Sequence, residues 1–445
     1  MKLLRGGRLV RSDGIEPADL LMEGETIKAI GKIDQPGAEV IDVSGKLIFP
    51  GFIDPHTHLE MSGGCDDFHT ATKGAIMGGT TMVIDYATQS SGGLVEAFHL
   101  WQAMAQKACC DYLFHMSPIR KDKQLAEEMF WLQERGISSY KLYLAYDHLR
   151  MNETDFVETL KALDVIGAFV GVHCEDGDMI KQLQQEALER GEIEPLSHAL
   201  TRPPETESRA IDYLMNRAEG CINIVHLSSK DGLERVRYYK QQNKDIVAET
   251  CPQYLLLDRS LLDQSREEAV KFIFSPPLRT AEHRDALWQG IADGVITTIA
   301  TDHCNFSQAS KINNYTDFSR VLNGIPGVET RVHLMLSEFD KRGLGYAKAV
   351  ELLSTAVAKQ YGLYPQKGEL AVGSDADLVI YDPTVEWTIK QELMSTPGDY
   401  TPYEGWNITG KIAQVYLRGQ LAVDNEKWLG SLGRFQTARR THDNS

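Results

Sequence analysis

Two histidines separated by one residue, His56 and His58, follow the apolar run at residues 49–53. In a β-strand, side chains two residues apart point to the same face, so both imidazoles can aim at one point from a single strand. Neutral imidazoles in that arrangement suit a divalent transition metal such as zinc. Such a pair alone is more often two ordinary polar residues, so the rest of the chain has to decide.

Four more residues that can bind metals lie in or at the ends of apolar stretches with the length of β-strands. They supply two imidazoles, a carboxylate and an amine: His173, His226, Asp302 and Lys141. Each has a structural explanation by itself, because a core histidine is often hydrogen-bonded and an aspartate often caps a helix. Their joint placement at strand ends favours a metal site.

Lys141 lies in the middle of the apolar stretch 138–144. An ammonium carried into a low-dielectric interior is costly, so its pKa should fall and leave a nucleophilic neutral amine. One interpretation is a lysine paired with a carboxylate. The other is that the amine takes up carbon dioxide, because the resulting carbamate has two oxygens and one negative charge and can bridge two metals.

Eight strand-like segments alternate with helical patterns and would position these groups. The predicted strands are residues 52–58, 80–85, 112–116, 138–144, 169–173, 222–226, 246–250 and 297–302, and helical segments include 94–108, 124–135, 153–163 and 206–218. This alternation predicts an α/β fold, a (β/α)8 TIM barrel with its active site at the C-terminal strand ends. An open doubly wound sheet is the alternative, but no Gly-x-Gly-x-x-Gly motif follows the first strand.

The two ends of the chain have the pattern of short strands and turns instead. Residues 366–430 are expected to complete a small β-sandwich domain that residues 1–50 begin, around a barrel formed by residues 51–365. Residues 431–445 are polar and basic, and we expect a flexible C-terminal tail there.

Composition limits the classes of function. Of 445 residues, 42% are hydrophobic and 24% are charged, which is typical of a soluble globular protein. A net charge of -17 argues against a nucleic-acid partner. No apolar run has the length of a membrane span, and the first residues lack a signal-peptide pattern. Seven scattered cysteines, an odd number, favour a reduced, cytoplasmic protein.

The motifs together resemble the binuclear amidohydrolase superfamily and, within it, the cyclic amidohydrolases of the D-hydantoinase and dihydropyrimidinase type, phenylhydantoinases in particular. The resemblance covers essentially the whole chain. It is carried by residues 50–58 (PGFIDPHTH), 140–146 (YKLYLAY), 300–303 (ATDH) and 373–380 (GSDADLVI), and further by residues 249–255, 274–279 and 323–329.

The resemblance implies two divalent metal ions, with zinc as the expected metal. Six side chains would hold them: His56, His58 and Asp302 the first ion, His173 and His226 the second, and Lys141, as N6-carboxylysine, both. It also implies that Tyr146 helps to stabilise the oxyanion and that Ser275 and Asn323 hold the ring amide. Asp302 would pass a proton from the attacking water to the leaving nitrogen.

The implied reaction is hydrolytic opening of a small cyclic imide or ureide, such as a hydantoin or dihydropyrimidine, to an N-carbamoyl amino acid. A homo-oligomer, either a tetramer or a dimer, is implied by analogy alone. A non-catalytic dihydropyrimidinase-like interaction protein is an alternative, but that class loses ligands and all six positions are intact here. A hydrolase of linear amides or dipeptides is another, which the Ser275 and Asn323 motifs disfavour.

Allantoinases and dihydroorotases remain alternatives within the same family. They usually carry an arginine two residues after the second histidine, where this chain has Glu60. A carboxylate there would repel anionic dihydroorotate, unless Glu60 is a supporting or surface residue. The loops at residues 61–68 and 146–151 follow strand ends and would select the substrate. Met61, Phe68 and Leu149 either line that pocket or pack inside the protein.

Overall fold

The N-terminal segment forms seven short strands. The computed structural model describes residues 1–313 and 315–438 of the chain. The seven strands are β1 (Lys2–Arg5), β2 (Arg8–Arg11), β3 (Gly14–Pro17), β4 (Asp19–Glu23), β5 (Thr26–Gly31), β6 (Glu39–Asp42) and β7 (Leu47–Pro50). Strand β2 has only two apolar residues between its arginines, and β3 is largely exposed, so both have weak strand patterns in the sequence.

Eight parallel strands come next, and each pairs with its neighbours in chain order. They are β8 (Phe52–Thr57), β9 (Thr80–Thr88), β10 (Asp111–Ser117), β11 (Ser139–Tyr143), β12 (Phe169–His173), β13 (Ile222–Ile224), β14 (Ile246–Thr250) and β15 (Thr298–Ile299). The residues that follow β8 and β15 close the ring, since the His58 amide donates to the His303 carbonyl at 2.8 Å. This arrangement confirms the predicted barrel.

Helices connect and surround the barrel strands, and the described residues contain no helix long and apolar enough to cross a membrane. They are α1 (Phe68–Met77), α2 (Leu94–Met104), α3 (Leu125–Gln133), α4 (Glu153–Val165), α5 (Gly177–Glu189), α6 (Leu196–Leu200), α7 (Pro204–Met215), α8 (Lys230–Gln241), α9 (Pro252–Leu256), α10 (Arg266–Ala269), α11 (Ala281–Ala292), α12 (Gln308–Asn313), α13 (Arg331–Lys341), α14 (Gly345–Val350) and α15 (Ala356–Gln360). Short 3-10 turns occur at Ala105–Lys107, Arg259–Leu262, Val270–Phe272, Phe318–Arg320 and Gln391–Leu393, and a π turn at Glu351–Thr355.

Helix α4 illustrates why these segments fold as helices against the barrel. The Asn152 side chain accepts a hydrogen bond from the Asp155 amide and so caps the first turn. Phe156, Leu160 and Leu163 recur at helical spacing and are buried. Barrel strand β8 is buried at all six of its residues, on both faces, which is typical of a parallel sheet enclosed by helices.

The last four strands return to the first domain. They are β16 (Leu378–Thr388), β17 (Asn407–Leu417), β18 (Gln420–Asp424) and β19 (Lys427–Trp428). A seven-stranded sheet has the order β19-β18-β17-β16-β7-β2-β3, and a four-stranded sheet has the order β5-β4-β1-β6. Apolar residues from both chain ends, among them Leu4, Leu20, Ile48 and Ile380, form the core between the sheets. The β-sandwich built from both ends is thereby confirmed.

A cluster of buried charges joins the sandwich to the barrel. The Lys367 Nζ lies 2.6 Å from a carboxylate oxygen of Asp111 at the start of β10. It also lies 2.7 Å from Asp375 and 2.6 Å from Asp377, just before β16. All four side chains are buried. One ammonium therefore balances carboxylates from both domains.

The C-terminal segment lies against the barrel as far as residue 438. The Arg434 carbonyl accepts a hydrogen bond from the Tyr112 amide at 3.0 Å, and the Gln436 amide donates to the Tyr112 carbonyl at 2.8 Å. The Ala438 amide donates to the Gly136 carbonyl at 2.9 Å. These backbone hydrogen bonds hold part of the segment 431–445, and the flexible tail that the sequence predicts there stays a prediction. Residues 439–445 lie outside the described part of the chain.

Candidate metal centre

Three side chains predicted as ligands meet at one carboxylate oxygen. His56 lies at the end of β8 and His58 just beyond it. The Nε2 atom of His56 is 3.1 Å from Asp302 Oδ1, and the Nε2 atom of His58 is 3.2 Å from the same oxygen. Two imidazole nitrogens and a carboxylate oxygen thus converge where the first and last barrel strands meet.

Glu249 fixes the orientation of His56. Its Oε1 atom lies 2.7 Å from His56 Nδ1, and both side chains are fully buried. A carboxylate at that nitrogen holds the proton on Nδ1 and leaves the Nε2 lone pair facing Asp302. The sequence motif 249–255 supported the family resemblance but gave Glu249 no role. The one feature of the sequence that points to Glu249 is the position of its carboxylate at the end of an apolar strand.

The second histidine pair has the same kind of support. His173 Nδ1 lies 3.0 Å from His226 Nε2. On its other side, His173 Nε2 lies 2.9 Å from Glu175 Oε2, and that oxygen is 3.2 Å from Arg202 Nη1. Glu175 therefore holds the proton on Nε2 and leaves Nδ1 facing His226. Sequence reasoning missed Glu175 and Arg202, although Glu175 stands only two residues after a predicted ligand.

Lys141 lies in β11 with its side chain inside the barrel and only 1% exposed. Among the described residues, no carboxylate lies within ion-pairing distance of its ammonium, so the carboxylate-paired interpretation finds no partner. The rings of Tyr86 and Tyr143 lie 5.0 Å and 5.3 Å from Nζ. Burial lowers the pKa of Lys141 to about 8, as the sequence predicted in direction.

Burial and neighbouring charges set the protonation states of the side chains in the centre. Burial lowers the pKa of His58 and His173, and lowers that of His226 well below its usual value, so these imidazoles are neutral. Burial raises the pKa of Asp302, but the adjacent His56 outweighs it and the pKa falls well below the usual range. At His56 burial also lowers the pKa, but the neighbouring carboxylates of Asp302 and Glu249 outweigh it and raise the pKa. The centre therefore offers three neutral imidazoles, a fourth imidazole held between two carboxylates, and the ionised carboxylate of Asp302.

The free donor atoms fit a divalent metal ion. Among the described residues, His56 Nε2 and His226 Nδ1 are buried without a hydrogen-bond partner. One donor atom from each of His56, His226 and Asp302 lies within 4.8 Å of the other two. Imidazole nitrogens and a carboxylate oxygen form a donor set that suits a transition metal such as zinc.

Left-handed backbone conformations aim three of these side chains. The φ angles are 42° at His226, 54° at Asp302 and 67° at Tyr146. Non-glycine residues adopt this region rarely, at a cost on the order of 1 kcal/mol each. The strands β13 and β15 end before His226 and Asp302, whereas the sequence predicted that both strands would reach the ligand.

The predicted substrate-binding residues lie close to one another. The Ser275 hydroxyl donates to Asn323 Oδ1 at 2.9 Å. The ring of Tyr146 is 5.0 Å from that of His173 between centroids. Burial raises the pKa of Tyr146 to about 12, against a smaller lowering by Arg202. The phenol therefore remains a hydrogen-bond donor at neutral pH.

Glu60 and Phe68, whose roles the sequence left open, contact other protein groups, whereas Met61 and Leu149 remain accessible. Glu60 pairs with Lys107 at 3.2 Å and accepts a hydrogen bond from the Phe68 amide. The ring of Phe68 is fully buried in the core, so Phe68 is a packing residue, whereas Met61 is 44% exposed. His303 lies 2.7 Å from Asp66 through its Nε2 atom. Leu149 is half-buried.

The barrel, the sandwich and the convergent donor set define a metal-dependent hydrolase of the amidohydrolase class. A model of the Amidohydrolase family matches residues 47–422, and the chain belongs to that family.

More particular relatives share almost the full length of the chain. It is 40% identical to the D-hydantoinase of Geobacillus stearothermophilus, over 99% of this chain and 96% of that protein. It is 38% identical to the D-phenylhydantoinase of Escherichia coli O127:H6, over 98% of each. These similarities confirm the resemblance seen in the motifs.

Solved structures give the same result. The structure superimposes on a D-hydantoinase from Bacillus sp. AR9 with a TM-score of 0.95 at 36% identity, covering 99% of this chain and 100% of that one. It superimposes equally well on a dihydropyrimidinase from Brevibacillus agri NCHU1002, with a TM-score of 0.95 at 37% identity and the same coverage.

Proposed function

We propose that this protein hydrolyses the cyclic amide bond of hydantoins or dihydropyrimidines and releases N-carbamoyl amino acids. The observation that carries the proposal is the convergence of two histidine pairs and Asp302 at the mouth of the barrel. The full-length similarity to D-hydantoinases supports the choice of a cyclic substrate.

Six side chains would hold two divalent metal ions, which we propose to be zinc. The first ion would be held by His56, His58 and Asp302, the second by His173 and His226, and both by Lys141 as N6-carboxylysine. Burial without a carboxylate partner supports that modification, because a neutral amine attacks carbon dioxide and loses a proton to form the carbamate. Such ions, when bound, activate water and polarise an amide carbonyl.

Asp302 and Tyr146 would carry out the proton transfer and the charge stabilisation. Asp302 is ionised and can accept a proton from the attacking water, then deliver it to the leaving ring nitrogen. The Tyr146 phenol keeps its proton at neutral pH and can donate a hydrogen bond to the developing oxyanion. The ring amide would be held by Ser275 and Asn323, whose side chains are already hydrogen-bonded to each other.

The Glu60 environment bears on dihydroorotase activity. Lys107 pairs with Glu60 and offsets its charge, so Glu60 repels an anionic substrate less than an unpaired carboxylate would. What still disfavours dihydroorotate is the missing arginine two residues after His58, since the glutamate at that position cannot bind the carboxylate of the substrate.

The test is an assay of zinc-loaded protein with four substrates: dihydrouracil, 5-phenylhydantoin, allantoin and dihydroorotate. Ring opening is measured as the loss of amide absorbance. We expect ring opening of 5-phenylhydantoin or dihydrouracil at rates well above those for allantoin and dihydroorotate. Preferential opening of either of the last two would replace the proposal by the allantoinase- or dihydroorotase-type alternative. No opening of any ring in protein that holds two metals would favour the non-catalytic alternative.

We also propose a cytoplasmic homo-oligomer, a tetramer or a dimer. The analogy with the cyclic amidohydrolases supports the oligomer, and the odd number of scattered cysteines supports a reducing compartment. Light scattering on purified protein tests the oligomer, and a monomer at micromolar concentration would contradict it.

A further inference from the structure

Lys311 is a fully buried lysine that the proposed chemistry does not use. It lies on α12, and its side chain is 0% exposed. Its Nζ atom donates to the Ile273 carbonyl at 2.9 Å and to the Gly324 carbonyl at 2.6 Å. Burying an ammonium is costly unless hydrogen bonds compensate, and these two main-chain carbonyls supply them.

Both carbonyls belong to segments that lead to the proposed substrate-binding residues. Ile273 stands two residues before Ser275, and Gly324 directly follows Asn323. In the described part of the chain, two further hydrogen bonds join these segments. They are the Ser275–Asn323 hydrogen bond and a long bond of 3.3 Å from the Gly324 amide to the Ile273 carbonyl. The lysine thus adds two charge-assisted bonds to a weakly connected junction.

The junction also packs tightly against the segment that carries Asp302. A Cβ atom at Gly324 would lie 2.5 Å from the Cys304 carbonyl oxygen, so the two backbones are in close contact. Cys304 stands two residues after Asp302. Burial lowers the pKa of Lys311 to about 7. The ammonium has three N–H groups and the neutral amine still has two, so both hydrogen bonds can persist in either protonation state.

We propose that Lys311 is a positioning residue that holds the Ser275 and Asn323 segments at the spacing the substrate ring requires. This inference rests on the proposed function. Ser275 and Asn323 would contact the ring in the ground state and in the transition state alike. Their displacement therefore weakens substrate binding more than it slows the chemical step.

The experiment compares Lys311→Met with Lys271→Met, a matched control from the same region whose ammonium pairs with Glu268 near the surface. We expect Lys311→Met to raise KM for 5-phenylhydantoin by about tenfold with kcat within about threefold of the parent. Zinc content should not change. Lys311→Arg, which keeps a cationic donor for two carbonyls, should restore KM to within about threefold of the parent.

Hydrogen exchange gives a readout that does not depend on activity. Amides in residues 321–327 should exchange faster in Lys311→Met than in Lys271→Met, while those in β8 and β12 should not change. If Lys311→Met does not fold, Lys311→Gln serves the same purpose, since its shorter amide cannot reach both carbonyls.

Two results would overturn the inference. One is a folded variant without the ammonium that keeps the parent's KM and exchange rates. The other is a KM equally raised in Lys271→Met. Failure of the proposed function can be distinguished from failure of this inference, because the parent protein itself would then open no ring.

Discussion

Glu249 decides which nitrogen of His56 faces the metal centre. Replacement of Glu249 by glutamine keeps the shape of the side chain but allows its amide N–H to donate to His56 Nδ1. The imidazole proton then moves to Nε2, and that nitrogen can no longer bind a metal. We expect Glu249→Gln to lower zinc affinity by about 10- to 100-fold, measured by competition with a chelator. Glu282→Gln, which changes a surface carboxylate paired with Lys230, is the control. Equal zinc affinity in both variants would contradict this role.

Tyr146 is expected to act through its phenolic proton alone. Tyr146→Phe should lower kcat by about 10²-fold while zinc content stays the same, since one oxyanion donor is lost. The pKa of Tyr146 is raised to about 12, so the phenol is protonated below that value and loses its proton only above it. The ratio of parent to variant kcat should therefore stay constant between about pH 7 and pH 10. A ratio that falls with pH in that range would contradict the assignment.

Residue types and strand periodicity were sufficient to predict the ligand candidates but not the groups that orient them. His56, His58 and His173 lie at or next to strand ends, where alternation along a strand places them. Glu249 could not be predicted, because β14 is not paired with β8 and no sequence pattern gives a distance across the barrel. The positive φ angles at His226 and Asp302 could not be predicted either, since neither residue type requires a positive φ.

At the scale of elements, the loop after β8 is tied to the segment after β15. Its Asp66 side chain lies 2.7 Å from His303, and its Cys65 amide donates to the Asn305 carbonyl at 2.7 Å. Between these anchors and β8, the tip that includes Met61 is exposed. The proposed metal ligands stand outside the tip, so the tip can vary without moving them.

Exchange of residues 61–64 for a different loop should change the relative kcat/KM values among 5-substituted hydantoins while zinc content stays the same. Phe68 is left in place, because it packs in the core. The control exchanges residues 242–245, in the turn between α8 and β14 at the opposite end of the barrel. Unchanged relative rates across the substrate panel would show that the tip does not select the substituent.

At the scale of the whole molecule, Lys367 joins the two domains. Lys367→Met leaves the buried carboxylates of Asp111, Asp375 and Asp377 without their shared ammonium. Among the described ion pairs, Asp111 keeps Arg418 as a partner, whereas Asp375 and Asp377 lose theirs. We expect the free energy of unfolding to fall by about 3–5 kcal/mol, measured by denaturant titration, because an unpaired buried charge is strongly destabilising. Lys359→Met, at an exposed position, is the control. A loss of stability no larger than that of the control would contradict the role of this cluster.

The architecture was predictable at this scale because eight apolar segments alternate with helical patterns, and both chain ends share a strand pattern. The pairing that completes the sandwich, β7 with β16, joins residues more than 300 positions apart, and only their common apolar pattern suggested it. The backbone attachment of residues 433–438 to β10 was not predictable, since polar composition does not exclude main-chain hydrogen bonds.

The central claim is that Lys141, carrying a carboxylate from carbon dioxide, joins two metal ions. Diffraction at the zinc absorption edge, from crystals of protein produced in zinc-supplemented medium, tests it most directly. The account predicts two anomalous peaks, one beside His56 and His58 and one beside His173 and His226, with density for three added atoms on the Lys141 Nζ between them. An unmodified lysine with no metal peak nearby would contradict it.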